Sequence, residues 1–181
     1  ETLRVFSTRV RTANLALKPS KCKIGCTTID FLGHRVVEDC KIPNPDNLGK
    51  IIEAARPETK KHIKSLLGSC GFYQSYIPRY SDIVTPLTDC LKKAMPNRVF
   101  WGEKQEHSFQ LLKKAFLSGP VLKLVSIDKP FVLRTDASDV GVSAVLLQEH
   151  DGILHPVCFA SKKLSDREKS YCISEREALG V

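Results

Sequence analysis

The sequence predicts an α+β fold built from three consecutive parts. Apolar residues recur at helical spacing over residues 1–17 and again over residues 44–93, whereas residues 130–163 alternate between apolar and polar positions, as strands do. With 42% hydrophobic residues among 181, the chain can form a sizeable core, which excludes extensive disorder.

The first part is predicted to be a helix followed by a β-hairpin. The helix covers residues 1–17. Two short strands are expected at about residues 21–25 and 29–37, joined by a tight turn near Thr27. Gly33 interrupts the second strand, which indicates a bulge or a close approach of the backbone to another molecule.

The second part, residues 44–97, is predicted to be a bundle of three helices. Asn44 followed by Pro45 is a typical start for the first helix, and Thr59 is a typical start for the second. The third is expected to begin at Ser81. Three tyrosines along these helices favour a packed core over a platform for stacked bases. They are Tyr73, Tyr76 and Tyr80.

Positive charge is concentrated in the first third of the chain. The formal net charge is +8; residues 1–64 hold 13 Lys and Arg against 7 Asp and Glu, and the remainder holds 15 against 13. Three lysines of the second helix lie largely outside its apolar stripe: Lys60, Lys61 and Lys64. This pattern indicates a surface that binds a polyanion. The alternative is a basic face that contacts only solvent.

The third part is predicted to be a helix followed by a meander of three antiparallel strands. The strands are FVLRTDAS, VSAVLLQ and HPVCFASKKL, and Asp151-Gly152 between the last two is a strong hairpin signal. Another helix is expected near residue 174. Two capping boxes are candidates for its start, Ser165 with Glu168 and Ser174 with Glu177. The second is favoured because the apolar run EALGV follows it.

Asp136 stands at the end of the first of these strands, where the alternation breaks. A carboxylate at the rim of a sheet is either a turn-capping residue or a metal ligand, and a metal ligand needs acidic partners elsewhere in the chain.

The seven cysteines include no Cys-x-x-Cys pair, so a structural zinc site is not expected. The cysteines are expected to be reduced thiols inside the cell. No signal peptide or membrane-spanning segment is recognised.

Five stretches, in this order, resemble the polyprotein of gypsy-type LTR retrotransposons: KCKIGCTTIDFLGHRVV, IKSLLGSCGFYQSYIPRYSDIVTPLTDCLKK, FWGEKQEHSFQLLKKAFLSGPVL, KPFVLRTDASDVGVSAVLLQ and HPVCFASKKLSDREKSYCISEREALGV. The resemblance implies that residues 1–43 are the C-terminal part of a reverse-transcriptase palm with its primer-grip hairpin, and that residues 44–97 are a helical thumb. Residues 98–181 are then the N-terminal half of an RNase H-like domain. Within it, residues 98–129 form a connecting helix, and residues 130–181 form the meander and the start of the first helix. The chain is expected to be a fragment of a longer protein.

The resemblance also implies the site residues. Asp136, in Thr-Asp-Ala-Ser, corresponds to the first RNase H metal ligand and Glu177, in EREALGV, to the second; Glu175 is turned away from Glu177 by roughly 200° of helix. The implied cofactor is Mg²⁺ or Mn²⁺ in the complete enzyme, with further Asp ligands beyond this chain. The FLGH stretch corresponds to the primer grip. Its residues are Phe31, Leu32, Gly33 and His34.

The implied function is a fragment of an RNA-directed DNA polymerase with ribonuclease H. Its partners would be RNA–DNA hybrid, primer–template duplex and the remainder of the polyprotein, with no membrane, in the cytoplasm, nucleus or a virus-like particle. No Asp-Asp pair of the polymerase signature is present, so the isolated fragment is expected to be inactive. One alternative is a non-catalytic RNase H-like connection module, against which Asp136 and Glu177 both argue. The other is an ATPase of RNase H-like topology, whose Gly-rich phosphate loop the stretch SDVGVS matches poorly.

Overall fold

The computed structural model describes residues 2–180 and has the predicted α+β architecture. Its helices are α1 (Thr2–Thr12), α2 (Pro45–Ile52), α3 (Lys60–Phe72), α4 (Tyr80–Asp89), α5 (Glu103–Leu117) and α6 (Ile173–Ala178). Its strands are β1 (Thr28–Phe31), β2 (His34–Val37), β3 (Cys40–Pro43), β4 (Leu122–Lys123), β5 (Phe131–Ala137), β6 (Gly141–His150) and β7 (Ile153–Lys163). Among the helices of this described range, none is both long and apolar enough to span a membrane.

The first sheet has the order β1-β2-β3-β4, with antiparallel neighbours. Its first hairpin corrects the sequence prediction, because the turn is Leu32–Gly33 and not near Thr27, and residues 21–25 form no strand. Both turn residues have positive φ, 46° and 79°, as the tight two-residue hairpin turn requires. Gly33 is therefore a turn residue and not a bulge. The turn was missed because Leu-Gly lacks the Asn or Asp that usually marks it.

The helical bundle encloses the main core. Asn44 caps α2 by accepting from the Asp46 N–H, and Thr59 caps α3 by accepting from the His62 N–H, as predicted. The three tyrosines of the bundle are buried, as predicted for a core: Tyr73, Tyr76 and Tyr80. In contrast, α1 buries no residue and ends at Thr12.

Helix α5 belongs to this same core. Its apolar side chains Phe109, Leu112 and Phe116 are at most 3% exposed and lie in one cluster with those of α3 and α4. Strand β4, which follows α5, then pairs with β3 of the first sheet. Residues 98–123 therefore complete the core formed by the preceding parts. A domain boundary at residue 97 stays a prediction.

The second sheet is the predicted meander, in the order β5-β6-β7. Its second hairpin turns at Asp151 and Gly152, which have φ of 54° and 79°, as the Asp-Gly signal indicated. Helix α6 packs on β5, where a Cβ added to Gly180 would lie 3.3 Å from the Cβ of Thr135. A glycine at the end of α6 therefore lets the chain approach the sheet closely.

The start of α6 corrects a second prediction. The helix begins at Ile173, and the Cys172 N–H donates to Glu175 Oε2 at 2.9 Å, so the predicted start at Ser174 with Glu177 is wrong. The other box does form. Glu168 Oε2 accepts from the Ser165 N–H at 2.7 Å and Ser165 Oγ accepts from the Glu168 N–H at 3.3 Å, just ahead of a short 3₁₀ turn at Glu168–Ser170.

Candidate nucleic-acid interface and acidic site

Asp136 lies near the end of β5, at the rim of the meander, and its side chain is 66% exposed. Its Oδ2 is 3.8 Å from Nη1 of Arg79, the residue that precedes α4. A cleft of about 340 Å³ beside it is lined by charged and polar side chains of three elements. These are Arg79, Asp136, Ser138, Asp139 and Arg176. The carboxylate is accessible to a cation or a substrate from solvent.

The turn after Asp136 is fixed by Ser138. The Ser138 Oγ accepts from the Gly141 N–H at 2.9 Å and lies 3.1 Å from Asp82 Oδ2, to which it can donate. The Ser138 N–H donates to the Gly141 carbonyl at 2.8 Å. A Cβ on Gly141 would lie 2.5 Å from Asp82 Oδ1, so glycine is required where α4 meets the meander. This explains the Ala-Ser-Asp-Val-Gly stretch as a rigid turn.

Glu177 is exposed on α6, and Glu175 is engaged in capping the same helix. From α6, the cleft beside Asp136 is lined by Ile173 and Arg176. Between residues 2 and 180, no three His, Cys, Asp or Glu side chains are grouped so that they could hold a metal ion. A cation shared by Asp136 and Glu177 therefore stays a prediction. Carboxylate oxygens are the donors that Mg²⁺ prefers, but two of them fill only part of its octahedral shell.

The hairpin tip of the predicted primer grip is fastened to the end of α3 by Gly33. Its carbonyl accepts from the Tyr73 hydroxyl at 2.7 Å and from the Asn44 N–H at 3.1 Å. A Cβ on Gly33 would lie 2.9 Å from Cε1 of Phe72. The close approach that the sequence indicated at this glycine is thus made within the chain itself.

His34 also faces the bundle. Its Nδ1 shares a hydrogen bond with the Tyr76 hydroxyl at 2.9 Å, and its ring stacks on Phe72 with centroids 5.2 Å apart. Burial, and after it the positive charge of Lys41, lowers the pKa of His34. Phe31 and Leu32, in contrast, are 60% and 74% exposed. The structure therefore separates the four predicted primer-grip residues into an inner pair that positions the tip and an outer pair that is exposed.

The three predicted lysines also differ in their surroundings. Lys61 and Lys64 are exposed, whereas Lys60 is half-buried and its Nζ donates to the Lys92 carbonyl at 2.7 Å. Only the first two are free to contact a phosphate without breaking a bond within the chain.

Sequence reasoning missed the stripe that Lys61 belongs to. Lys61, Ser65, Gly68 and Phe72 are exposed on α3 and lie within an arc of about 60° of the helix. Phe72 contacts the Gly33 tip, so this outer stripe of α3 leads directly to the hairpin. The signal was the spacing of small residues on the side opposite the apolar stripe.

An open groove of about 670 Å³ runs between α2 and α3, on the same side of the bundle. Its lining combines apolar residues and the carboxylate of Glu58 with basic and hydroxyl-bearing side chains. Those side chains are Lys50, Arg56, His62, Ser65 and Ser69. The groove and the outer stripe share Ser65 and Phe72, so they form one continuous surface.

Comparison with known proteins agrees with this architecture. Residues 101–181 match the family described as the RNase H-like domain found in reverse transcriptase. The chain is 36% identical over 181 residues to the retrovirus-related Pol polyprotein from transposon 297 of Drosophila melanogaster, covering 99% of this chain and 16% of that protein. The relatives that the chain matches are retrotransposon polyproteins. The resemblance that the motifs indicated is confirmed.

The 181-residue segment is also 32% identical over 174 residues to the transposon Tf2-3 polyprotein of Schizosaccharomyces pombe, covering 96% of the segment and 13% of that protein. It therefore spans a small share of the relatives that it matches. Among solved structures, it is similar to the foamy viral protease-reverse transcriptase in complex with RNA/DNA hybrid, with a TM-score of 0.80, 19% identity and coverage of 98% of the segment and 24% of that chain.

The same viral enzyme in complex with dsDNA gives a TM-score of 0.72 and 21% identity, covering 83% of the segment and 31% of that chain. At these identities the likeness establishes a shared fold. The predicted fold class is confirmed.

Proposed function

We propose that this retrotransposon segment holds RNA–DNA hybrid and that its RNase H-like part contributes Asp136 and Glu177 to hydrolysis of the RNA strand in the complete enzyme. The observation that carries the proposal is the exposed carboxylate of Asp136 at the rim of the meander, beside a charged cleft, within residues that match an RNase H-like domain. A turn-capping Asp would bond to its own turn, and Ser138 already fills that role.

The surface of α3 and the hairpin tip supports the binding half of the proposal. Lys61 and Lys64 offer free ammonium groups for phosphates, and such contacts are independent of sequence. Ser65 and Gly68 let a nucleic-acid backbone approach the helix closely, because neither side chain projects far. Phe31 and Leu32 then extend the surface with exposed apolar groups that can pack against sugars or bases.

The acidic site supports the chemical half. When bound, Mg²⁺ supplies a water of lowered pKa and stabilises the leaving oxygen. Asp136 and Glu177 would hold the cation through carboxylate oxygens, and ligands from outside residues 2–180 would complete its shell. Arg79, 3.8 Å from Asp136, places a positive charge at the cleft where the phosphate would approach. The isolated segment is therefore expected to bind hybrid without cleaving it.

A second candidate function is a connection module that only binds nucleic acid. It is favoured by the pairing of Asp136 with Arg79 and by the lack of a three-residue metal-ligand group within residues 2–180. In that case Asp136 would serve only the contact between α4 and the meander.

The deciding experiment measures cleavage of labelled RNA in a hybrid by the full-length parent protein with Mg²⁺. Asp136→Asn is expected to lower the rate by at least about 100-fold, because a metal ligand is removed. Asp151→Asn is the matched control, since this exposed Asp lies in the hairpin turn with positive φ, which Asn also adopts. If the Asp136→Asn protein cleaves the RNA as fast as the wild type, Asp136 is not a metal ligand, and binding as a connection module is the function that remains.

A further inference from the structure

We propose that Arg176 is a positioning residue that joins α6, and with it Glu177, to the turn that follows Asp136. The inference rests on the proposed function of these two carboxylates. It assigns to a neighbouring side chain the task of setting their relative placement.

The first argument is the burial of Arg176. Helix α6 contains no buried residue, and all of its side chains except that of Arg176 are exposed. The Arg176 side chain is only 15% exposed. A long cationic side chain is thus the one group of this helix that the rest of the domain shelters, where a helix normally buries apolar groups.

The second argument is what the guanidinium contacts. Nη1 donates to Asp139 Oδ1 at 2.6 Å and lies 3.4 Å from the Ser138 carbonyl, to which it also donates. Both acceptors belong to the turn after Asp136, and Glu177 follows Arg176 directly. One side chain therefore connects the two elements that carry the proposed ligands.

The third argument is that the same turn is also held by α4. The Ser138 Oγ lies within hydrogen-bonding distance of Asp82 of α4, and Asp82 also accepts from Arg79 at 2.9 Å. The turn is thus bonded both to Asp82 of α4 and to Arg176 of α6, which limits its freedom to shift. Groups that orient metal ligands in this way tune the metal affinity.

The geometry explains why arginine serves here. The planar guanidinium holds the two N–H groups of Nη1 in fixed directions, so that this one nitrogen can donate to the carboxylate and to the carbonyl. The Arg176 Nε is buried without a partner in the described part of the chain. Keeping such an unsatisfied group is costly, which a side chain that served only solubility would avoid.

The test uses the full-length parent protein and the Mn²⁺ site that Asp136→Asn removes. Arg176→Lys keeps the charge and removes the planar guanidinium. We expect it to weaken Mn²⁺ binding at that site about 10-fold, measured by electron paramagnetic resonance with Mn²⁺ alone. We also expect faster hydrogen exchange of the Ser138 amide, and a lower kcat for hybrid cleavage with unchanged KM. Raising the Mn²⁺ concentration should restore much of the rate. Arg167→Lys, at an exposed position, is the matched control.

Unchanged Mn²⁺ affinity and unchanged Ser138 exchange in Arg176→Lys would overturn the positioning role. If Asp136→Asn itself alters neither Mn²⁺ binding nor cleavage, the proposed function fails instead, so the two failures are distinct. Should Arg176→Lys not fold, Asp139→Asn decides. It removes the carboxylate partner and leaves Arg176 in place, and Ser138 exchange as slow as in the wild type would overturn the inference.

Discussion

At the scale of single residues, Gly33 shows how one position serves both the backbone and the packing. Its φ of 79° places it in the left-handed region, and the Phe72 ring occupies the space next to it. Either feature alone disfavours a side chain, and here the two act together.

Gly33→Ala is therefore expected to destabilise the chain by about 2–3 kcal/mol, from the positive φ and the clash with Phe72 together. Gly25→Ala is the control, because Gly25 has φ of 68° and no atom within 4 Å of the added Cβ. It should cost about 1 kcal/mol from φ alone. Urea unfolding of the 181-residue chain measures both. Equal destabilisation by the two substitutions would show that Phe72 moves aside freely.

His34 makes the stability of the chain depend on pH. Its pKa is lowered in the folded state by burial and then by Lys41, so the unfolded chain binds the proton more readily. This part of the stability is complete above the unfolded pKa of about 6.5 and is lost as pH falls through the folded pKa.

We expect the free energy of unfolding to fall between pH 7.5 and pH 5.5, and that of His34→Gln to fall less over that interval. Chemical denaturation at the two pH values measures this difference. His107→Gln, at an exposed position of α5, should behave as the wild type does. If His34→Gln loses as much free energy of unfolding between the two pH values as the wild type does, a group other than His34 causes the pH dependence.

At the scale of elements, α3 contains a glycine that the packing does not require. Gly68 lies in the middle of the helix, is exposed, and has nothing within 4 Å of an added Cβ. Glycine weakens a helix interior relative to alanine. Its position on the outer stripe suggests that the binding surface, and not the fold, benefits from it.

Gly68→Ala is expected to stabilise the chain by about 0.5–1 kcal/mol and at the same time to weaken hybrid binding several-fold. Gly49→Ala in α2, which also has no neighbour within 4 Å, should stabilise without weakening binding. Thermal unfolding and fluorescence anisotropy measure the two effects. Tighter or equal binding by Gly68→Ala would remove α3 from the interface.

At the scale of the whole molecule, the sequence predicted the helical bundle and the meander because apolar residues recur at helical spacing in the first and alternate with polar ones in the second. It could not place the first hairpin, since the Leu32–Gly33 turn lacks the usual polar residue. The start of α6 was predicted at the wrong capping box, because Ser174 is a more typical N-cap residue than Cys172. The pairing of Asp136 with Arg79 depends on how α4 meets the meander, which no local pattern encodes.

The uneven charge of the whole chain, +8 in total, predicts salt-dependent binding of nucleic acid. Replacing Lys61 and Lys64 together with Gln should reduce the slope of log K against log salt by about 2, because each ammonium group neutralises roughly one phosphate. Lys60→Gln should instead affect stability, because its ammonium group bonds to the Lys92 carbonyl. Anisotropy titrations at several salt concentrations measure the slope. An unchanged slope in the double variant would show that Lys61 and Lys64 contact only solvent.

The pairing of β4 with β3 has a consequence for synthesis on the ribosome. Lys41 pairs with Leu122, and α5 between them supplies Phe109, Leu112 and Phe116 to the core. The first hairpin and the helices after it therefore stay partly unburied until the nascent chain has emerged beyond residue 123. The meander that follows is closed by short turns between neighbouring strands and can form quickly. Translation speed through residues 44–123 thus governs how long the apolar surface of the first two parts is open to chaperones.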